Sequence, residues 1–216
     1  MKMVIKNIFL LLLIIFSFSV RAEREISSII VDYNKKYELY ELAKTAEDLN
    51  RAAPEKAFVK MSRSADILEI TVEMTDADCF NRSTANQQTL HSNGDTVRFF
   101  LQTANHTALY ELQVDCNNRR SAFFHWGAGR IFYSAKNSSA LPSFRSHAEK
   151  TSDGWKCTLF VPLDEAAKLL KLQSPVKWRI MLMRYNYGKN HPVRDVSSFP
   201  QAIRIPDVDR FAIIAD

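Results

Sequence analysis

Five histidines, His91, His106, His125, His147 and His191, are the residues best suited to metal or acid–base chemistry, and they are scattered. No two stand at the helical spacing that lets neighbouring imidazoles share an ion, so each reads as a surface or core histidine. The chain has no GxSxG elbow and no HExxH pair. Its five glycines, Gly94, Gly127, Gly129, Gly154 and Gly188, form neither a dinucleotide loop nor a P-loop, which excludes the phosphate-cradling enzymes of those classes. The acidic pairs Asp76 and Asp78, and Asp207 and Asp209, have the alternate spacing that suits calcium or acid–base work, although such pairs are common in loops. Calcium is therefore compatible with the sequence, and no other cofactor is expected. Asn81-Arg82-Ser83, Asn105-His106-Thr107 and Asn137-Ser138-Ser139 are glycosylation sequons.

The cysteines Cys79, Cys116 and Cys157 are odd in number, which suggests one disulfide and one buried thiol. Cys79 and Cys116 both sit where strand patterns give way to polar turns, so they are the expected pair. Cys157 lies within the apolar alternation Trp155-Cys157-Leu159-Val161 and suits a core position. No two cysteines are spaced as CxxC. Aromatic residues crowd the middle of the chain: Phe123, Phe124, Trp126, Phe132 and Tyr133. Trp126, beside Gly127 and Gly129, is the one expected to be exposed, whereas Trp155 and Trp178 read as core.

The elements that must position these residues are short strands. Leu68, Ile70, Val72 and Met74 alternate with Glu69, Thr71 and Glu73. The same period recurs over residues 95–102, 108–115, 121–126, 154–161 and 176–185, with an apolar terminal strand at 211–215. Trp178, Ile180 and Leu182 face one way, and Lys177, Arg179, Met181 and Met183 the other. Two segments break the rhythm. Leu39, Leu42, Ala43, Ala46 and Leu49 predict an amphipathic helix over 37–51, and residues 164–172 predict a short helix capped by Asp164. Together these predict an all-β fold, an antiparallel β-sandwich of jelly-roll or immunoglobulin-like type with one or two short helices.

Residues 1–22 read as a secretory signal: Lys2 and Lys6, an apolar run from Ile8 to Phe16, and Val20-Arg21-Ala22 before the expected cleavage. Removing Lys2, Lys6 and Arg21 lowers the formal charge from +5 to +2, too little to argue for nucleic acid or an anionic membrane surface. The expectation is one domain over 23–216, secreted or periplasmic, with no stable membrane span after cleavage.

The order of these pieces resembles the family-9 carbohydrate-binding modules and the wider DOMON-like sandwich group. Residues 57–61 and 67–72 resemble the opening strand pair. Asp95-Thr96-Val97-Arg98-Phe99-Phe100 resembles the "D-x-V-E-I-F" strand, and residues 108–115 the strand after it. Gly154-Trp155 through Val161-Pro162 resembles "G-W-x-x-E-x-x-I-P", and Trp178-Arg179 through Arg184-Tyr185 resembles "W-R-x-N-x-x-R". Ser198-Phe199-Pro200 stands where the family has "W-S-P", and Asp209-Arg210-Phe211 resembles its close.

The resemblance implies a non-catalytic carbohydrate binder, exported and working beside glycan-degrading enzymes. In the family a terminal sugar is clamped between two tryptophans, with polar side chains on its hydroxyls. Here the first clamp position falls at His91-Ser92-Asn93-Gly94, the family glutamate is Arg98, and the second clamp is Phe199. The expected ligand site is therefore Phe199, Arg98, Glu111, Trp126, Tyr185 and Asn186, with the loop 185–188 near Phe199. Arg98 would favour acidic sugars, or else simply pair with Glu111 across the sheet. Two other readings stand beside this one. DOMON-like sandwiches include haem-binding electron-transfer domains, for which Met181, Met183, His125 and His147 are the available ligands. The sandwich could also serve as a protein-interaction module.

Overall fold

The structure, a computed structural model, describes residues 29–43, 48–103, 108–126, 133–136, 143–172, 176–188, 195–203 and 205–214. The predicted signal segment, two of the three sequons (Asn105 and Asn137) and His106 and His191 lie outside the described residues. No helix among the described residues is long and apolar enough to cross a membrane.

The alternating segments fold as strands, in the order β1 (Ile30–Val31), β2 (Lys36–Glu38), β3 (Tyr40–Glu41), β4 (Ala57–Ser64), β5 (Ile67–Thr75), β6 (Thr96–Thr103), β7 (Ala108–Asp115), β8 (Arg120–Trp126), β9 (Tyr133–Lys136), β10 (Arg145–Lys150), β11 (Gly154–Pro162), β12 (Trp178–Asn186), β13 (Asp195–Phe199) and β14 (Ala212–Ile214). One helix, α1 (Leu163–Leu169), follows β11. The larger sheet runs β1-β14-β12-β6-β7-β8-β9, with β13 also paired to β12 and β3 to β13; the smaller runs β10-β11-β5-β4-β2. Every pairing is antiparallel except β1 with β14. This is the all-β sandwich that the periodicity predicts.

The two sheets bury their facing sides against each other. Val59, Met61, Leu68, Ile70, Val72, Trp155, Leu159 and Val161 come from the smaller sheet, and Val97, Phe99, Leu101, Tyr110, Leu112, Val114, Ile180 and Leu182 from the larger. Burying such side chains contributes roughly 1.5–3 kcal/mol each before conformational entropy is counted. Trp155, Trp178 and Cys157 are all in this core, as their alternation predicts.

The larger sheet departs from simple alternation. All eight residues of β6 are buried, and so are most of β12. The cause is a second apolar cluster on the outer face of this sheet, where Phe100, Leu109, Met181, Met183 and Tyr185 pack with Ala202 and Phe211. Its partly buried neighbours are Leu42, Val196, Ile205 and Val208.

The helix expected over 37–51 is not formed over 37–43, which carries β2 and β3 instead; residues 44–47, with Ala46, lie outside the described residues. Lys36–Glu38 pairs with Phe58–Lys60, and Leu39 N–H donates to the Ala57 carbonyl at 2.9 Å. The helical spacing of Leu39 and Leu42 has another origin: Leu39 is in the inter-sheet core, whereas Leu42 packs with the outer cluster. The second helix exists, but Pro162 occupies its N-cap without a side-chain capping bond. Asp164 sits in the first turn, where its charge complements the helix dipole.

Candidate functional site

The outer face of the larger sheet carries two kinds of residue. One is the apolar cluster just described. Beside it, β6, β7 and β8 set polar side chains on the same face: Arg98, Glu111, Gln113, Ser121 and His125. Register explains the grouping. Arg98 stands opposite Gln113 in the ladder, and Gln113 opposite Ser121; Glu111 lies one pleat from both Arg98 and His125.

Glu111 is the hub. Its Oε1 accepts from Arg98 Nε at 2.8 Å, and the Arg98 Nη2 is also 2.8 Å away. Gln113 Nε2 donates to the same oxygen. The other oxygen, Oε2, meets His125 Nε2 at 2.8 Å. Arg98 Nη1 donates to the Tyr185 hydroxyl at 2.5 Å. The guanidinium lies over the rings of Phe100 and Tyr185, at 4.9 and 5.2 Å from their centroids. His125 in turn stacks on Phe123 at 6.2 Å. Burial alone would raise the Glu111 carboxyl. The His125 hydrogen bond, the Arg98 charge and the Gln113 amide outweigh it and hold the group at about 2. Its side chain is only 4% exposed, whereas that of His125 is 14% exposed and forms the open edge of the cluster.

One wall of the cluster is the excursion between β5 and β6. A short 3-10 turn at Leu90–Ser92 lies against the face. His91 N–H donates to Gln113 Oε1 at 3.3 Å, and the His91 carbonyl accepts from the Tyr187 hydroxyl at 2.8 Å. The His91 ring meets Tyr185 at 5.1 Å. The Gln88 carbonyl accepts from Ser121 Oγ at 2.5 Å.

The neck of this excursion is tightly built. Asn81 bridges to Gly94, and Asp95 N–H donates to the Phe80 carbonyl at 2.8 Å. A Cβ on Gly94 would stand 2.3 Å from that carbonyl oxygen, and its φ of +148° is one that side chains resist. Asp95 accepts Phe80 N–H at 2.5 Å and Tyr187 N–H at 2.7 Å. Burial outweighs these two bonds and raises its carboxyl to about 7. The Asn81 amide donates to Leu90 O, Asp95 O and Thr96 Oγ1 at 3.1–3.2 Å, so this sequon asparagine is committed to the fold.

Of the six expected site residues, the structure brings three together: Arg98, Glu111 and Tyr185. Phe199 is elsewhere. It pairs with the core residue Leu182 and therefore faces inward, 5% exposed, with its ring 4.4 Å from that of Tyr37. Asn186 also falls on the other side of the sheet, where it bonds Arg184 and Glu55 at 2.9 and 2.8 Å. Trp126 is 41% exposed, as expected. Its register puts it on the same side as Phe124, on which it stacks at 5.8 Å, and not on the side of Arg98. The pairing of Arg98 with Glu111, one of the two outcomes open from the sequence, is the one found. His125, Gln113 and His91 are not among the six; as site residues, the sequence offers His125 only as a haem ligand and His91 only as the residue at the first clamp position. The alternation Ser121, Phe123, His125 was the signal that puts this histidine on the face of Glu111.

The remaining candidates are dispersed. Met181 and Met183 are buried in the outer apolar cluster, and His147 is on the smaller sheet beside Glu149. Asp76 is buried 3.5 Å from Arg184, and Asp207 accepts from Ile203 N–H at 3.1 Å. Cys79, Asp95 and Cys116 do come together, with their ligand atoms within 4.8 Å of one another.

Grooves exist elsewhere. One, about 740 Å³, lies between α1 and the start of β12. Its apolar wall is Leu163, Ala167, Leu172 and Trp178, while Arg63, Asp164 and Lys168 are exposed at its rim, so no buried polar group there fixes a ligand. A second, about 320 Å³, runs over the outer face of the smaller sheet past Phe58, Lys60 and Glu73. Lys36 lies 4.6 Å over the Phe58 ring and pairs with Glu73 at 2.7 Å, the usual pattern of a solvated sheet face.

No protein-family model matches the sequence, and no curated protein does. Solved structures match in fold. A Bacteroides uniformis protein, provisionally assigned as carbohydrate-binding, aligns over 83% of this chain and 85% of its own, with a TM-score of 0.59 at 8% identity. A family-9 carbohydrate-binding module from Caldicellulosiruptor kristjanssonii, in complex with cellotriose, aligns over 86% of this chain and 91% of its own, with a TM-score of 0.50 at 13% identity. A family-9 module from the same organism, in complex with glucose, aligns over 86% of this chain and 93% of its own, with a TM-score of 0.50 at 12% identity. The chain therefore has the fold of the family-9 modules. The DOMON-like part of the resemblance finds no counterpart among these matches.

Proposed function

We propose that this protein is a non-catalytic carbohydrate binder, and that the polar cluster on the outer face of the larger sheet is its site. The observation that carries this reading is the buried Arg98–Glu111–His125 cluster. Three linked polar groups stand on the face turned away from the core, which the fold does not need for inter-sheet packing. Sugar hydroxyls need fixed donors and acceptors, and a cluster locked by its own hydrogen bonds supplies them without ordering cost. The partly exposed His125 ring, backed by the buried Phe123 ring, offers a flat surface to sugar C–H groups at its open edge.

Glu111 already neutralises Arg98, so the preference for acidic sugars expected from Arg98 alone loses its basis, and neutral hydroxyl-rich glycans are favoured. Export to a secreted or periplasmic compartment, and work beside glycan-degrading enzymes, complete the proposal.

Calorimetric titration of the full chain with neutral oligosaccharides and with uronates tests it. His125→Ala should weaken binding about tenfold or more while the melting temperature stays within a few degrees, and Phe58→Ala, on the other sheet, should leave binding unchanged. No binding to either class, or loss with Phe58→Ala in place of His125→Ala, overturns the reading.

A further inference from the structure

The thiols of Cys79 and Cys116 are not used by the site, yet their placement bears on it. Cys79 lies in the turn after β5 and Cys116 directly after β7, so their contact joins the neck of the 80–95 excursion to the strand that carries Glu111 and Gln113. Both thiols are free in the structure, within 4.8 Å of each other and of an Asp95 oxygen. Two occupants suit such a pair: a soft divalent ion, or a covalent bond. The surroundings disfavour the ion. Asp95 already holds two backbone N–H groups, and the carboxylate of Asp76 stands nearby with Arg184 as its cation at 3.5 Å. Two thiolates and two carboxylates around one dication would leave a buried centre with net negative charge. A disulfide removes both thiols and adds no charge.

We propose that Cys79 and Cys116 are joined by a disulfide in the exported protein, and that this bond fastens the 80–95 excursion as the wall of the site. The second half rests on the carbohydrate-binding reading; the first does not. The bond closes the excursion at its base, and everything the wall presents to the site lies between the two cysteines: the Gln88 carbonyl bonded to Ser121, and His91 bonded to Gln113 and Tyr187.

Formation needs a disulfide oxidant, either a protein thiol–disulfide exchange catalyst or oxidised glutathione. The thiolate of Cys79, the more exposed of the two, attacks one oxidant sulfur, forms a mixed disulfide and expels the other sulfur as a thiolate. The Cys116 thiolate then attacks the Cys79 sulfur, forming the internal bond and expelling the second oxidant thiolate. Two electrons pass to the oxidant, and the two cysteine protons pass through solvent to its thiolates. The hydrogen bond with Cys116 and burial push the Cys79 thiol well above its ordinary range. Exchange in the closed fold is therefore slow, and the bond forms while the excursion is still open.

The test is peptide mass mapping of the full chain, secreted to an oxidising compartment and alkylated without reduction. A linked Cys79–Cys116 pair is expected, with Cys157 alkylated only after unfolding. Reduction should lower the melting temperature by roughly 10 °C. The Cys79→Ser/Cys116→Ser double variant should melt at that lower value whether or not reductant is present. Reduction should also speed amide exchange over residues 82–93 at least tenfold and weaken glycan binding at least tenfold. Two alkylated thiols without reduction, or one equivalent of zinc bound per chain, overturns the disulfide. A linked pair whose reduction changes neither exchange nor affinity overturns its role as fastening. A linked pair in a chain that binds no glycan leaves the disulfide standing and refutes the function.

Discussion

Replacing Glu111 by glutamine removes the charge on which the cluster turns. Holding this carboxyl at about 2, against an ordinary 4.5, corresponds to about 3 kcal/mol of stability at neutral pH. A second route gives a similar size: breaking a buried ion pair by removing one partner costs roughly 3–5 kcal/mol, because the Arg98 charge is left buried without its counterpart. For a chain of this length that is a fall in melting temperature of roughly 6–15 °C. The pH dependence carries a sign. A depressed folded-state value means the contribution is present above about 4.5 and is lost as pH falls toward 2. The gap between wild type and Glu111→Gln should therefore shrink from about 3 kcal/mol at pH 7 to roughly 1.5 kcal/mol at pH 3. Urea unfolding followed by tryptophan fluorescence at both values measures it. A control, Arg98→Met with Glu111→Leu, removes both charges together and should cost less than Glu111→Gln alone. If Glu111→Gln unfolds at the same urea concentration as wild type at pH 7, or if the gap fails to narrow in acid, the ionic account of this cluster is refuted.

Two further substitutions test the placement of other residues. Phe199→Ala should cost roughly 3–5 kcal/mol in chemical denaturation, because it empties the space against Tyr37 in the core, and it should act on glycan affinity only through lost folding. A stable Phe199→Ala protein with selectively weakened binding would show that the ring faces ligand. Gly94→Ala should cost roughly 2–4 kcal/mol, since its Cβ meets the Phe80 carbonyl and its φ is strained. An unchanged melting curve would mean that the neck is looser than this geometry.

The sandwich was legible because its signal is local. The period of two in β5 and β11 is set by which face of each strand is dry, and Trp155 and Cys157 followed from the same count; β6, β7 and β12 keep the alternation of residue types although both their faces are covered. The failures came where local pattern met a long-range partner. Leu39 and Leu42 have helical spacing, yet one faces the inter-sheet core and the other the outer cluster, a division that depends on strands far along the chain. Phe199 failed for a related reason. Its position in the family pattern suggested a ligand contact, but its pairing with Leu182 turns it inward, and a one-residue change of register would have turned it out. Trp126 and Asn186 were lost to the same face rule. His125 was available from the alternation of β8, but only once β7 and β8 are known to be neighbours.

Asp95 and Arg98 show why a fold can be kept while its site is rewritten. Both lie in the segment that resembles the family strand. Asp95 ties Phe80 and Tyr187 to the start of β6 through their backbone N–H groups, so it holds two loops whatever ligand is bound. Replacing it leaves two buried N–H groups without partners, each costing roughly 1–3 kcal/mol. Arg98, three residues on, points to the outer face, where it bonds Glu111 and Tyr185 and lies over the Phe100 ring. A glutamate exchanged for arginine there is tolerable once an acid appears at position 111, one pleat away on the next strand. This outer-face pair can therefore change together without touching the inter-sheet core. The matched structures share this fold at only 8–13% identity. Substitutions on the outer face leave the inter-sheet core untouched, so the proposed ligand contacts rest on this chain's own Arg98, Glu111 and His125 and not on the shared fold.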